Sequence, residues 1–365
     1  MGKIRFAIEG TGWRAGYYLR IAKLLSSRFE LVGMVSRSEE RAKALSGELE
    51  INVTADKDSI LAANVDFVVI AAKKDLLFEL GKYWLGKGVP VVLETPAGMD
   101  EGTLREIEGE ANSGAKIYVA EQYFRYPQIL ALTSLIKSGK IGNPEMLFLS
   151  YAHEYHGYSI ARALLEPKGE VTIKGERHEF DITRTLTRNE SYTDGVTVKK
   201  PWDHLTLQWE DGKVCYFDFC PEEYRSPICT PEIKIQGDRG LIRFFDKEIA
   251  EISTDRVAKQ IVGQISYLNE ENRAVCEPII QMTRIVKTGE ENPNWSEYQE
   301  IMDIRVGADL LYYDKYGMAG LSADETAIAQ VLEDAGEFVK TGNAAYPVQL
   351  ALEDARVAMK MRELQ

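Results

Sequence analysis

The sequence predicts two domains, an α/β domain on a parallel sheet followed by an α+β domain on antiparallel strands. Three observations carry this reading. The first third alternates short apolar strands with amphipathic helices, the strands beyond about residue 145 pair across tight turns, and the C-terminal stretch returns to helical periodicity. At 365 residues the chain has ample length for two cores.

The first strands are read at Ile4–Ile8, Leu31–Val35, Val65–Ala72, Val89–Leu93 and Lys116–Ala120. They are apolar throughout, as strands covered on both faces are. Between them, spacings such as Tyr17, Ile21 and Leu24/Leu25 place apolar groups on one helical face. Further on, Met146–Tyr155 is strand-like, and Leu205–Trp209 and Val214–Phe219 flank Glu210-Asp211-Gly212-Lys213, a hairpin signal because Gly accepts φ > 0. Gly237-Asp238-Arg239-Gly240 joins Glu232–Gln236 to Leu241–Phe245 in the same way. Helices are expected over Asp324–Lys340 and Val348–Glu363, with Pro347 at the start of the second. The pattern assigns 1–121 to the first domain and 122–365 to the second, with the C-terminal helices able to pack back on the first.

Composition narrows the partners. The formal charge of −13 repels nucleic acid and anionic membranes, so neither is expected. The four cysteines, Cys215, Cys220, Cys229 and Cys276, lack C-x-x-C spacing and read as reduced thiols. No basic, apolar leader precedes the first strand and no apolar run reaches about 18 residues, so a cytoplasmic protein is expected.

Gly10-Thr11-Gly12-Trp13-Arg14-Ala15 follows the first strand and opens the first helix. Gly10 permits the sharp turn, Gly12 lets backbone approach a pyrophosphate, and Ala15 allows close helix–strand packing. The helix N-terminus then offers N–H groups and about half a positive charge to phosphates. In this strand–turn–helix context the motif predicts a Rossmann domain holding a dinucleotide. The second strand ends in Ser36-Arg37-Ser38, with no carboxylate until Glu39. An Arg there accommodates a 2′-phosphate, which favours NADP over NAD. Glu9, just before the glycines, is an awkward neighbour for phosphate.

These segments resemble the Gfo/Idh/MocA oxidoreductases, named for glucose–fructose oxidoreductase and inositol dehydrogenase. The resemblance spans the glycine turn, the run from Gly86 to Pro96, the run from Ala120 to Pro127, Gly139-Lys140-Ile141-Gly142-Asn143-Pro144, and Tyr346-Pro347 followed by Glu353-Asp354. It implies a Rossmann domain plus an α+β domain with a large open, mostly antiparallel sheet, and homodimers or homotetramers. It also implies NADP- or NAD-dependent hydride transfer on a sugar, polyol or sugar derivative.

Two departures stand out. The family's Glu-Lys-Pro is here Glu94-Thr95-Pro96, and threonine cannot place a cation beside a developing alkoxide. A positioned acid–base group is worth about 10²–10⁴-fold in rate. The family's Asp, four residues before its His, is Ala152, the His being His156. His156 is the candidate proton carrier, with Thr95 beside it in the catalytic set. His153, Tyr158 and Arg125 are the substrate candidates. Thr11, Trp13, Arg14, Ala71, Ala72, Glu94, Pro96 and Gln122 join Gly10, Gly12, Ser36, Arg37 and Ser38 as cofactor candidates, and the resemblance places a cis bond before Pro96. No metal site is expected, because His153 and His156 fall one residue short of H-E-x-x-H and, on a strand, would face opposite sides. Lys73 and Lys74 are read as exposed, Trp202 and Trp209 as sheet core, and His178 and His204 as sheet residues within possible reach of the cleft. Two further readings stay open: a dinucleotide-binding regulator that has lost hydride transfer, and a bound-cofactor enzyme of elimination or glycoside cleavage.

Overall fold

The computed structural model describes residues 2–186, 190–252, 257–287 and 297–364, and divides the chain into two compact units. Unit 1 comprises Met1–Gln122 and Asp324–Met359; unit 2 comprises Tyr123–Ala323 and Lys360–Gln365. The segment from Asp324 to Met359, counted with the second domain in the sequence pattern, is thus part of the first.

Unit 1 opens with β1 (Ile4–Glu9), α1 (Trp13–Leu24), β2 (Phe29–Val35), α2 (Glu39–Leu49), β3 (Val53–Thr54) and α3 (Lys57–Leu61). It continues with β4 (Phe67–Ile70), α4 (Leu77–Leu85), β5 (Val91–Leu93), α5 (Glu101–Asn112) and β6 (Ile117–Val119). The six strands are all parallel, in the order β3-β2-β1-β4-β5-β6. That order reverses direction at β1 and β4, and ligands of such sheets bind outside the carboxyl ends of the strands at the reversal. The five strands expected from sequence are present; the two-residue β3 was too short to leave a periodic signal.

Unit 2 contains α6 (Pro127–Lys137), β7 (Pro144–Ser150), α7 (Glu154–Leu165), β8 (Val171–Thr183), β9 (Thr197–Trp209), β10 (Val214–Phe219), β11 (Glu232–Gly237) and β12 (Gly240–Ile252). β13 (Val257–Leu268), β14 (Ala274–Lys287), β15 (Glu297–Val306) and β16 (Asp309–Tyr313) complete it. The ten strands form one sheet, β16-β15-β14-β13-β12-β11-β7-β10-β9-β8, antiparallel except for the β7–β10 pair. Both turns read from the sequence are hairpins here, with Gly212 at φ +88° between β9 and β10. The expected strand to Tyr155 stops instead at Ser150, and the chain enters α7 with His153 as its N-cap. Gly157 makes that entry possible: a Cβ there would stand 2.4 Å from the Phe217 ring and 2.8 Å from the Ala152 carbonyl oxygen.

The chain closes with α8 (Ala323–Thr341) and α9 (Val348–Glu363). α8 packs on the parallel sheet so closely that a Cβ at Gly336 would come within 2.6 Å of Ile4, and Phe338 meets Tyr118 of β6 at 6.0 Å. No described helix is long and apolar enough to cross a membrane. Leu332 of α8 is fully buried, so Leu332→Ala is expected to destabilise the protein by about 2–5 kcal/mol in urea unfolding. A neutral result would remove α8 from the core of unit 1.

Candidate functional site

The glycine turn lies at the carboxyl ends of three strands. Gly10 N–H donates to Val35 O at 3.0 Å, and Ala71 N–H donates to Glu9 O at 2.9 Å, so the turn is held between the ends of β2 and β4. Gly10 has φ +130°, and a Cβ there would sit 2.0 Å from Ala71 O, so protein packing alone demands glycine. Gly12 is different. Its backbone is extended (φ −84°, ψ 179°), and a Cβ would meet nothing within 4 Å.

Gly12 is the N-cap of α1, with no side-chain cap and no acid in the helix's first turn. By contrast α2, α3 and α5 are capped by Ser38, Asp56 and Asp100, and each carries acidic residues in its first turn. The first N–H groups of α1 thus have neither a side-chain cap nor an acid beside them, an arrangement that suits an anion.

At the tip of β2, Ser36 is 6% exposed and its Oγ has no hydrogen-bond partner among the described residues. Arg37 is exposed, and Ser38 uses its hydroxyl to accept Arg41 N–H at 3.3 Å. Arg41, which sequence reasoning passed over, reaches back to the glycine turn, with Nε donating to Thr11 Oγ1 at 3.0 Å. An uncapped helix N-terminus, an open Gly12 and a buried unpartnered Ser36 Oγ fit a dinucleotide. Glu9 does not disturb this fit: Lys57 pairs with one of its oxygens at 2.6 Å and Trp84 Nε1–H donates to the other.

A second polar network binds the remaining cofactor candidates together. Glu94 Oε1 accepts from Arg14 Nε at 2.8 Å and from the Tyr18 hydroxyl at 2.5 Å, and Glu94 Oε2 accepts Thr95 N–H at 3.3 Å. Arg14 also donates to Asp324 Oδ2 at 3.1 Å, and Gln122 Nε2 donates to Asp324 Oδ1 at 3.3 Å. Burial works against the Arg14 charge, but Glu94 and Asp324 outweigh it and hold the guanidinium protonated well above its usual range. Burial, then Glu94, pushes the Tyr18 phenol up. Two carboxylates share one guanidinium here, so Arg14 cannot stand in for the family's lysine. The Thr95–Pro96 bond is cis, Thr95 is half-buried, and Lys73 and Lys74 are exposed. Ala71 follows β4 and Ala72 is half-buried beside it; Trp13 is 52% exposed and meets the Tyr17 ring edge-on.

In unit 2, His153 and His156 come together on α7. The two rings meet edge-to-face at 4.8 Å, and His156, 4% exposed, stacks on Tyr123 at 3.9 Å. The strand argument against chelation does not apply, because the pair occupies one helical turn. Among the described residues, no group of three or more His, Cys, Asp or Glu is placed to hold a metal. Glu154, between the histidines, has φ +32°, rare for a residue with a side chain, and its carboxylate pairs with Arg362. Ala152 is fully buried.

The other unit 2 candidates are scattered. Tyr158 is 2% exposed and stacks on Trp209, which places it in the core. Arg125 is buried with its guanidinium over the Phe124 ring. His178 and His204 lie on β8 and β9, where they face Glu176 and Asp218; Trp202, expected in the core, stacks on His204 and is half-buried. The cysteines are unpaired, and burial pushes the Cys229 thiol up to about 12. Tyr224, the hydroxyl that holds His153, and Glu223 beside it carried no sequence signal. Burial pushes the Glu223 carboxyl up to about 7.

The comparisons agree with this geometry. Residues 4–121 match the Gfo/Idh/MocA family, described as an oxidoreductase family with an NAD-binding Rossmann fold. The comparison with curated proteins gives no match. Among solved structures, levoglucosan dehydrogenase in complex with NADH and levoglucosan is similar, with a TM-score of 0.65 at 14% identity over 99% of this chain and 96% of that one. An oxidoreductase from Agrobacterium radiobacter, in complex with NAD+, L-tartaric acid and magnesium, gives 0.63 at 14% identity over 99% and 96%. UDP-N-acetylglucosamine 3-dehydrogenase from Acidithiobacillus ferrooxidans gives 0.58 at 15% identity over 100% and 98%. At these identities the likeness is one of fold, and it extends over both units.

Two predictions follow from the geometry. Gly12→Val should change stability by no more than about 1 kcal/mol while weakening NADPH binding at least about tenfold, whereas Gly10→Val should fail to fold stably. Equal effects in both variants, read by urea unfolding and fluorescence titration, would make Gly12 a packing residue. The second concerns Glu223, whose folded pKa of about 7 exceeds its ordinary 4.5. The folded state then holds the proton more tightly, so this contribution is full below pH 4.5 and lost as pH rises through 7. Glu223→Gln should flatten the pH dependence of unfolding free energy across that window; an unchanged slope would contradict the buried acid.

Proposed function

We propose that the protein is a nicotinamide-dinucleotide-dependent oxidoreductase that transfers hydride to or from a carbon of a sugar, polyol or sugar derivative. The observation that carries this is Gly12. Nothing in the protein requires a glycine there, whereas a dinucleotide does, and the site lies where the sheet order reverses.

The residues divide the work. The N–H groups at the start of α1 bind the pyrophosphate, and Gly12 leaves room for it. Arg37 and Arg41, at the end of β2 and in the first turn of α2, favour a ribose 2′-phosphate and hence NADP over NAD. A bound nicotinamide supplies the hydride donor or acceptor. Glu94 accepts the Thr95 N–H and so fixes the backbone of that segment, and the Arg14 and Tyr18 bonds in turn fix Glu94. His156, at the position of the family histidine, moves the proton of the substrate hydroxyl, with His153 beside it as a hydrogen-bonding partner. Carbohydrate-like substrates are favoured because two of the similar structures, levoglucosan dehydrogenase and UDP-N-acetylglucosamine 3-dehydrogenase, are by name enzymes of sugars.

A second reading, a dinucleotide-binding regulator without hydride transfer, is favoured by Thr95 and Ala152, which replace the family's lysine and aspartate. Incubation with NADPH and a panel of keto-sugars, followed at the reduced-nicotinamide absorbance, separates the two. Turnover of at least one sugar is expected, with kcat lowered about 10²-fold or more in His156→Ala and cofactor affinity unchanged. Tight NADPH binding without turnover of any sugar would favour the regulator. An unchanged rate in His156→Ala would end the assignment of that histidine.

A further inference from the structure

Arg41 stands in the first turn of α2, yet its side chain is held by another segment of the domain. Its Nε donates to Thr11 Oγ1 at 3.0 Å and its Nη2 to the Thr11 carbonyl oxygen at 3.3 Å, 30 residues back in sequence. The main chain beneath is anchored as well, since Arg41 N–H donates to the Ser38 hydroxyl oxygen at 3.3 Å. Thr11 lies in the glycine turn, whose Gly10 N–H donates to Val35 O at 3.0 Å, one residue before Ser36. Arg41 thus joins the glycine turn to the start of α2, and the Gly10–Val35 bond joins the same turn to the tip of β2.

The contact leaves half of the guanidinium over. This group carries five N–H donors in a planar fork and accepts none. The edge formed by Nε and Nη2 faces Thr11, and the edge formed by Nη1 and the second Nη2 proton stays open, with the spacing that suits two oxygens of a phosphate. Both Thr11 acceptors are neutral, and among the described residues Arg41 forms no ion pair, not even with Glu39 or Glu40 of its own turn. A cation in the first turn of a helix opposes the helix dipole, so an anion on the open edge would remove a mismatch that the fold has built in. Ser36, 6% exposed with an unpartnered hydroxyl, is a second and independent sign of a ligand at this strand tip. A phosphomonoester, close to doubly charged at neutral pH, fits hydroxyl and guanidinium donors, whereas a bare ribose 2′-hydroxyl is met by a carboxylate at this position.

We propose that Thr11 is a positioning residue: it holds the Arg41 guanidinium so that its open edge meets the 2′-phosphate of NADP(H), and cofactor choice is therefore set in the glycine turn as well as at the tip of β2. This deepens the dinucleotide reading above and rests on it. Arg41 is the group that touches the phosphate, and Thr11 acts only through Arg41.

Binding, not turnover, tests this. Full-length protein is titrated with NADPH and with NADH by fluorescence, and the ratio of the two affinities is taken on one sample, so that any misfolded fraction cancels. The wild type should prefer NADPH at least about tenfold. Arg41→Ala should weaken NADPH about ten- to a hundredfold and leave NADH within about twofold. Thr11→Val exchanges the hydroxyl for a methyl and should weaken NADPH about threefold or more with NADH unchanged, while Thr11→Ser should keep the wild-type ratio. In an Arg41→Ala background, Thr11→Val should change the ratio no further. Equal losses for both cofactors in Arg41→Ala would move the arginine to the pyrophosphate and overturn the assignment. A wild-type ratio in Thr11→Val, a Thr11→Ser ratio as low as that of Thr11→Val, or a full Thr11→Val effect without Arg41 would overturn the positioning role. A wild type that binds NADH as well as NADPH overturns the proposal and leaves the dinucleotide reading intact; binding of neither overturns both.

Discussion

The buried guanidinium of Arg14 is the interaction on which the N-terminal unit depends most. It joins the first helix to Glu94 after β5 and to Asp324 at the start of α8, residues 80 and 310 positions away in sequence. A charge removed from water must find its compensation within the fold, and losing one partner of such a set is worse than never having built it. The network therefore fixes together the helix whose N-terminus faces the dinucleotide and the segment carrying Thr95, and it recruits the C-terminal chain to do so. Unit 1 could not keep this arrangement with residues 1–122 alone, because Asp324 supplies half of the countercharge.

The same dependence explains which parts of the fold were legible in the sequence. The parallel strands are apolar runs between amphipathic helices, and the two hairpins announce themselves through Asp-Gly and Gly-Asp turns, so local patterns suffice. β8, β13, β14 and β15 left no such reading. They are long strands of mixed polarity, such as Val171–Thr183, whose residues are largely exposed, and polar residues such as Gln260 and Gln281 are buried by the sheet and not by any local pattern. Met146–Tyr155 misled for a related reason. Its apolar alternation runs through Tyr151 and Ala152, but the chain enters α7 there, where Gly157 leaves no room for a side chain beside Phe217, 60 residues downstream.

The site divides along the same line. Gly10, Gly12, Ser36 and Arg37 stand in one strand–turn–helix stretch and one strand tip, where spacing carries the chemistry. Arg41, Asp324 and Tyr224 act through partners 30 to 310 residues away, and nothing in their immediate neighbours marks them. Glu9 shows the converse. Beside the glycine turn it reads as a charge in the wrong place, yet Lys57 and Trp84 satisfy it without involving the turn.

The two departures from the family pattern are best understood as a pair. Thr95 stands where the resemblance implies a cation and Ala152 where it implies an anion, so the two departures offset each other in formal charge. Ala152 is fully buried, and a carboxylate there would need a compensating charge or several donors to be tolerated. Alanine, which carries no charge, makes no such demand on its surroundings.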